Sequence, residues 1–216
     1  MVSASQRERL LAAMAAAVAE KGYAHVAVAD VIERAGVSRK TFYEHFANKE
    51  QCFLAAYETG IATLLQGIDE AINTAAPDWL AATSAGTLTY LQALAANPDF
   101  ARTFLVEVLA AGPVALERRA AVHQRFADQL AGTIRAARRD LPGLPELPDY
   151  VFRACVGAIN ELVTEHLLRH GAATLPDLLT PILDVELSML TGHELAAALS
   201  SARREPGAGS PRPSLG

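Results

Sequence analysis

The sequence predicts an all-α protein of about nine helices: a small N-terminal three-helix unit, then a larger helical bundle. Three observations carry this expectation. Alanine, which forms helix at the lowest cost, occurs 43 times in 216 residues. Helix start and stop signals recur along the chain. No stretch shows the period-two alternation of a half-buried strand.

The elements follow in order. Ser5 and Glu8 stand at capping-box spacing, and an apolar-periodic run from Leu10 to Val18 follows until Gly22 closes it. A short helix over about 27–34 stops at Ala35-Gly36, and Ser38 caps another short one. Asn48, with Gln51 three residues on, opens a longer helix over about 49–73. Pro77-Asp78 opens the next. Asn97-Pro98-Asp99 combines a cap, a proline at the first helical position and an acid in the first turn. Ala111-Gly112-Pro113 is a stop followed by a restart. Asp140 to Pro148 holds three prolines and a glycine and predicts a loop. A helix over about 149–170 ends at Gly171. Thr174-Leu175-Pro176-Asp177 starts the last one, reaching about 199, with Pro181 either kinking it or resetting its start. Residues 203–216 have the composition of a disordered tail. The expected units are therefore 1–50, 51–202 and the tail.

Composition narrows the function. Hydrophobic residues make up 51% and charged residues 20%, which excludes a disordered chain, a collagen and a disulfide scaffold. Cys52 and Cys155 form no CxxC pair, as expected of a reducing compartment. Arg7, Glu8 and Arg9 stand where a signal peptide would need its apolar stretch. The longest uncharged run, Trp79–Pro98, carries too many Thr, Ser, Gln and Asn side chains for a membrane span. A cytosolic protein is expected. The net charge of −5 is uneven: residues 1–56 hold seven cationic and six anionic side chains, +1, and the remainder twelve and eighteen, −6. All three lysines lie in the first part, which leaves room for a nucleic-acid contact there.

Enzyme signatures are missing. No Glu or Asp stands three residues before any of the six histidines, as a di-iron bundle requires. There is no HExxH, no GxSxG and no glycine-rich phosphate loop. Neither a cofactor nor a metal is expected.

Residues 28–46, VADVIERAGVSRKTFYEHF, carry the chemistry. Two short helices joined by a glycine turn form a helix-turn-helix pattern. Phe42 and Phe46, one turn apart, face inwards. Lys40, Tyr43 and Glu44 then point outwards, with Arg39 and Thr41 on the flanks. Arg and Lys can donate to guanine edges in a major groove, and hydroxyls can bond phosphates. Ser38 and Lys49 stand at helix N-termini, where free amides already favour an anion. A plain turn with a solvated face is the competing reading, but it leaves the basic, aromatic face unexplained.

Glu20-Lys21-Gly22-Tyr23, Asp30, Arg34-Ala35-Gly36-Val37-Ser38, Thr41-Phe42-Tyr43-Glu44-His45-Phe46 and Asn48-Lys49-Glu50 together resemble the N-terminal domain of the TetR family of bacterial transcriptional regulators. The resemblance covers about residues 7–57. It implies an all-α homodimer with DNA-binding heads and ligand-binding bodies, in which a small molecule alters the head separation and usually releases the operator. It assigns DNA contact to Ser38, Arg39, Lys40, Thr41, Tyr43, His45 and Lys49. A repressor on a roughly palindromic double-stranded DNA operator is the resulting expectation. The alternative is a helical bundle that binds or transforms a small molecule without touching DNA. Two departures from the family pattern stand out. Val26 and Ala27 occupy positions where a hydroxyl residue usually caps the first motif helix, and Ile32 occupies a position that is usually small.

The resemblance also implies dimerisation through the helices about 149–170 and 175–199. Helix 149–170 is apolar or small nearly all round, so it must bury more than one face. For the small molecule, Phe104, Glu107, His123, Phe126 and Asn160 are the candidate contacts. A largely apolar effector is expected, because pockets set few polar groups in apolar walls. Arg102, Glu161 and His166 are weaker candidates of the same kind. Trp79, Tyr90 and Phe100 are further aromatic residues able to line a pocket, although aromatic residues at helical spacing are commonly core.

Overall fold

The computed structural model describes residues 5–76, 78–139 and 141–191. Every regular element among them is helical: α1 (Gln6–Lys21), α2 (Val28–Ala35), α3 (Arg39–His45), α4 (Lys49–Ala75), α5 (Trp79–Ala96), α6 (Pro98–Leu105), α7 (Pro113–Ala137), α8 (Asp149–His170) and α9 (Leu179–Thr191). Short 3-10 turns precede α2, α7 and α9. The tail expected over 203–216, and the last helix beyond 191, lie outside the described residues.

Local chemistry sets most boundaries. Ser5 Oγ accepts the Glu8 N–H while Glu8 Oε2 accepts the Ser5 N–H, a complete capping box. Ser38, Asn48 and Asp78 each accept amides of the helix they begin. Asn97 departs from expectation. Its Nδ2 donates back to the Ala93 carbonyl, so it closes α5 and gives no side-chain cap to α6. Pro98, lacking an N–H, still starts α6 at no cost. Pro181 is the third residue of α9, where its missing N–H has no intrahelical partner to lose. It resets the helix start and does not kink it.

One continuous core ties the first helices to the rest. Leu10, Met14, Phe42, Phe53, Tyr57, Leu105, Val163 and Ile182 all belong to it and are fully or almost fully buried. Each fully buried side chain of this size contributes about 1.5–3 kcal/mol. A smaller core of Ala127, Ala131, Ile134, Phe152, Cys155 and Leu190 joins α7, α8 and α9, with Trp79 packed against it. The helix α4 has 27 residues and spans roughly 40 Å, reaching from the N-terminal unit far into the bundle. Two glycines permit close packing along it. A Cβ on Gly86 would lie 3.0 Å from Ile72, and one on Gly60 only 2.1 Å from the Phe100 ring.

Candidate DNA-binding face and the cavity behind it

Helices α2 and α3 meet at Gly36, whose φ of +62° and ψ of +44° lie in the left-handed region that glycine adopts without penalty. Nothing approaches within 4 Å of a Cβ placed there, so backbone conformation alone demands the glycine. The Gly36 and Val37 amides close the turn on the Glu33 and Ile32 carbonyls. Ile32 is half-buried and packs against the main core, so its bulk is taken up inside the head. The hydroxyl missing at Ala27 is replaced from the other side: Asp30 Oδ2 accepts the Ala27 N–H at 2.8 Å. Lys21 Nζ lies 2.7 Å from Asp30 Oδ1. That hydrogen bond and the Ala27 N–H together hold the Asp30 carboxyl below its usual range. Arg34 pairs with Glu20 and braces the same two helices.

Phe42 and Phe46 are buried, and Ser38, Arg39, Lys40, Tyr43 and His45 are exposed on α3 or at its start. The Lys40 side chain is 87% exposed and only loosely paired with Glu44, at 3.8 Å. The Arg39 guanidinium rests over the Tyr43 ring, 5.7 Å from its centroid. Ser38 Oγ accepts the Thr41 N–H and shares a 2.9 Å hydrogen bond with Thr41 Oγ1, which fixes both hydroxyls at the helix start. Six of the seven residues assigned to DNA therefore form one face. Lys49 is directed elsewhere. Its Nζ donates to the Tyr23 carbonyl at 2.9 Å and sits 4.3 Å from the Tyr23 ring centroid. That ammonium stabilises the joint after α1, and its charge is already engaged.

The body contains a cavity of about 90 Å³ whose walls come from α4 to α9. Phe104, His123, Phe126 and Asn160 all line it, as does Tyr90. Ile68, Ile72, Leu130, Val156 and Ile159 supply much of the remaining apolar wall. Burial, with the Arg119 charge, pushes His123 down to about 4 against the opposing hydrogen bond to Asn160. His123 is therefore neutral at physiological pH. Two wall residues were not anticipated: the Thr87 hydroxyl donates to the buried Glu186 carboxylate at 3.0 and 3.2 Å. An acid within the apolar stretch Ile182–Leu190 was the available signal.

Glu107 is not in the cavity wall. Its Oε2 accepts the Tyr23 N–H at 2.9 Å, and Arg102 approaches its other oxygen at 3.4 Å. A carboxylate is needed there because the Tyr23 amide, just past the end of α1, has no helical acceptor. Glu161 is exposed, and His166 bonds Thr174 at the end of α8; neither lines the cavity. Phe100 stacks on Phe104 one layer behind the wall. Burial pushes both Cys52 and Cys155 up to about 12, so both thiols are neutral.

A braced helix-turn-helix unit with an outward basic face, joined to a helical body that encloses a cavity, defines a DNA-binding regulator of transcription. Residues 10–56 match the family model described as bacterial regulatory proteins, tetR family. The chain belongs to that family of transcriptional regulators. It is 27% identical over 160 residues to the transcriptional regulator EthR of Mycolicibacterium smegmatis, covering 74% of this chain and 73% of EthR. It is 30% identical over 69 residues to the transcriptional activator FasR of the same organism, and spans about a third of that protein's length, 32%. Its fold is similar to the fatty acid degradation regulator FadR from Bacillus halodurans, with a TM-score of 0.77 at 20% identity over 89% of this chain and 98% of that one. It is also similar to FadR from Bacillus subtilis, solved in complex with stearoyl-CoA, with a TM-score of 0.74 at 17% identity over 86% and 98%. Among the described residues, no helix is long and apolar enough to cross a membrane.

Proposed function

We propose that this chain is a ligand-responsive cytoplasmic repressor that binds a palindromic operator as a homodimer. Residues 1–50 act as the DNA-binding head and 51–202 as the effector-binding and dimerising body. Ser38, Arg39, Lys40, Thr41, Tyr43 and His45 meet the DNA, with α3 in the major groove and phosphate contacts supplying most of the affinity. A largely apolar small molecule occupies the cavity and releases the operator. The stearoyl-CoA held by the Bacillus subtilis relative is a long-chain example of such a ligand.

One observation carries the link between cavity and DNA. Phe104, in the cavity wall, stands three residues before Glu107, which holds the first amide of the segment leading to α2. A ligand that displaces Phe104 moves the support of the head. Dimerisation is assigned to α8 and α9. Ala154, Gly157 and Glu161 are exposed on α8, flanked by Tyr150 and Leu168, which are 63% and 59% exposed. An apolar face of that kind marks an interaction site.

The test is fluorescence anisotropy of the purified protein with duplex DNA from just upstream of its own gene, at two salt concentrations with competitor DNA. Tight, salt-sensitive and sequence-preferring binding is expected, weakened by a cavity ligand. If a random-sequence selection also returns no site, the regulator reading falls and the body alone carries the function. Binding enhanced by the ligand would make the chain an activator, in the manner of FasR, instead of a repressor.

A further inference from the structure

At one end of the cavity, two hydrogen-bond donors are left without acceptors. The Tyr57 side chain is fully buried, and its hydroxyl has no hydrogen-bond partner among the described residues. Its ring packs on Phe104 of the cavity wall, with centroids 5.9 Å apart. The Arg119 Nε is also buried without a partner, and Arg119 forms no salt bridge with any described carboxylate. Arg119 stands one turn before the wall residue His123 on α7, so the two share a helix face. Its charge is close enough to act on Tyr57, Tyr90 and His123 together.

A buried hydroxyl without a partner carries the full cost of its lost hydration. Phenylalanine would fill the same space without that cost. A guanidinium can only donate, and burial keeps the phenol protonated and therefore a donor. Both groups lack the same thing, an acceptor oxygen. The positive charge favours one that is anionic or strongly polarised and disfavours an amine. Beyond this end the walls are apolar, with Ile72, Leu130 and Val156.

We propose that the cavity ligand is an apolar molecule ending in an acyl oxygen, carboxylate or thioester carbonyl, received by the Tyr57 hydroxyl and the Arg119 guanidinium. This assignment rests on the cavity being the effector site. It places the polar end of the ligand against Phe104, next to the joint with the head.

The full chain is titrated calorimetrically with decanoate, decanoyl-N-acetylcysteamine, decanol and decylammonium, with hexyl and tetradecyl analogues to cover length. The acid or the thioester is expected to bind about tenfold or more tightly than the alcohol, and the ammonium weakest. Acid over thioester identifies a free carboxylate as the source; the reverse identifies an activated acyl group. Tyr57→Phe should lose about tenfold for the acyl probe, leave the alcohol unchanged, and unfold no earlier than the parent protein. Arg119→Gln should lose the acyl preference independently. If alcohol and acid bind alike, or if both variants keep the preference, the end-group assignment is overturned while the cavity remains a ligand site. If no chain-bearing probe binds at any length, the assignment and the effector reading both fall.

Discussion

Glu107 and Tyr23 lie 84 residues apart in sequence, yet the Glu107 carboxylate accepts the Tyr23 amide at 2.9 Å. From the other side, Lys49 takes the Tyr23 carbonyl at the same distance. Glu107→Ala strands the amide in a partly buried setting, which should cost about 1–3 kcal/mol of folding free energy. Hydrogen exchange at the Tyr23 amide should accelerate in the same variant. An exchange rate equal to that of the parent would mean that Glu107 does not support the joint.

Gly60→Ala places a methyl group 2.1 Å from a Phe100 ring carbon. Overpacking of this severity costs up to about 3 kcal/mol. Alanine returns about 1 kcal/mol in helix propensity, which leaves a net loss of about 2. Urea denaturation should show it. Adding Phe100→Leu should restore part of the stability, because the clashing ring is removed.

On the DNA face, Lys40→Ala should weaken operator binding by about 1–3 kcal/mol and relax the preference at one base position. Anisotropy on a panel of single-base operator variants reads both effects. Lys49→Ala, by contrast, should lower thermal stability and leave the salt slope of binding near that of the parent, because its charge is spent on Tyr23. A slope reduced by about one unit would return Lys49 to the phosphate contacts.

His123 predicts a pH dependence. Its folded-state value of about 4 lies below the ordinary value of 6.5, so the unfolded chain takes up the proton first. Stability should therefore fall as pH drops from about 6.5 towards 4, by on the order of 1–3 kcal/mol from this group. His123→Gln should flatten the dependence in that window. Denaturant midpoints at neutral pH and near pH 5, compared between the two proteins, decide it.

Gly157→Arg tests the assembly. A Cβ at Gly157 meets nothing within 4 Å in the isolated chain, so the substitution is free of internal clash. It should yield a monomer in sedimentation, with helix content unchanged and operator affinity sharply reduced. A dimer that persists would move the interface off this face of α8.

What could be read in advance was local. The caps at Ser5, Ser38, Asn48 and Asp78 act on amides two or three residues away, so their chemistry is written in neighbouring letters. The glycine turn at Gly36 is of the same kind. Asn97 misled because an amide side chain can serve the helix behind it as readily as the one ahead. Four cavity residues were found because polar or aromatic side chains on an apolar stripe are few. Glu107 and Lys49 were misplaced for a common reason: each answers a backbone group of Tyr23 from a distant point in the chain, and no spacing records such a bond. The clash that reserves Gly60 is equally invisible without Phe100, which lies 40 residues further on.

The two-sided grip on Tyr23 bears on protein engineering. Grafting this head onto another body, or another head onto this one, would cut a bond that neither half supplies alone. A chimera joined after Lys21 would need a matching carboxylate from the recipient at the place of Glu107. Without it, the graft should fold and still bind DNA, but turn deaf to the ligand. Interchangeable parts in such a regulator would then be defined by who holds this one peptide unit, and not by where the helices begin and end.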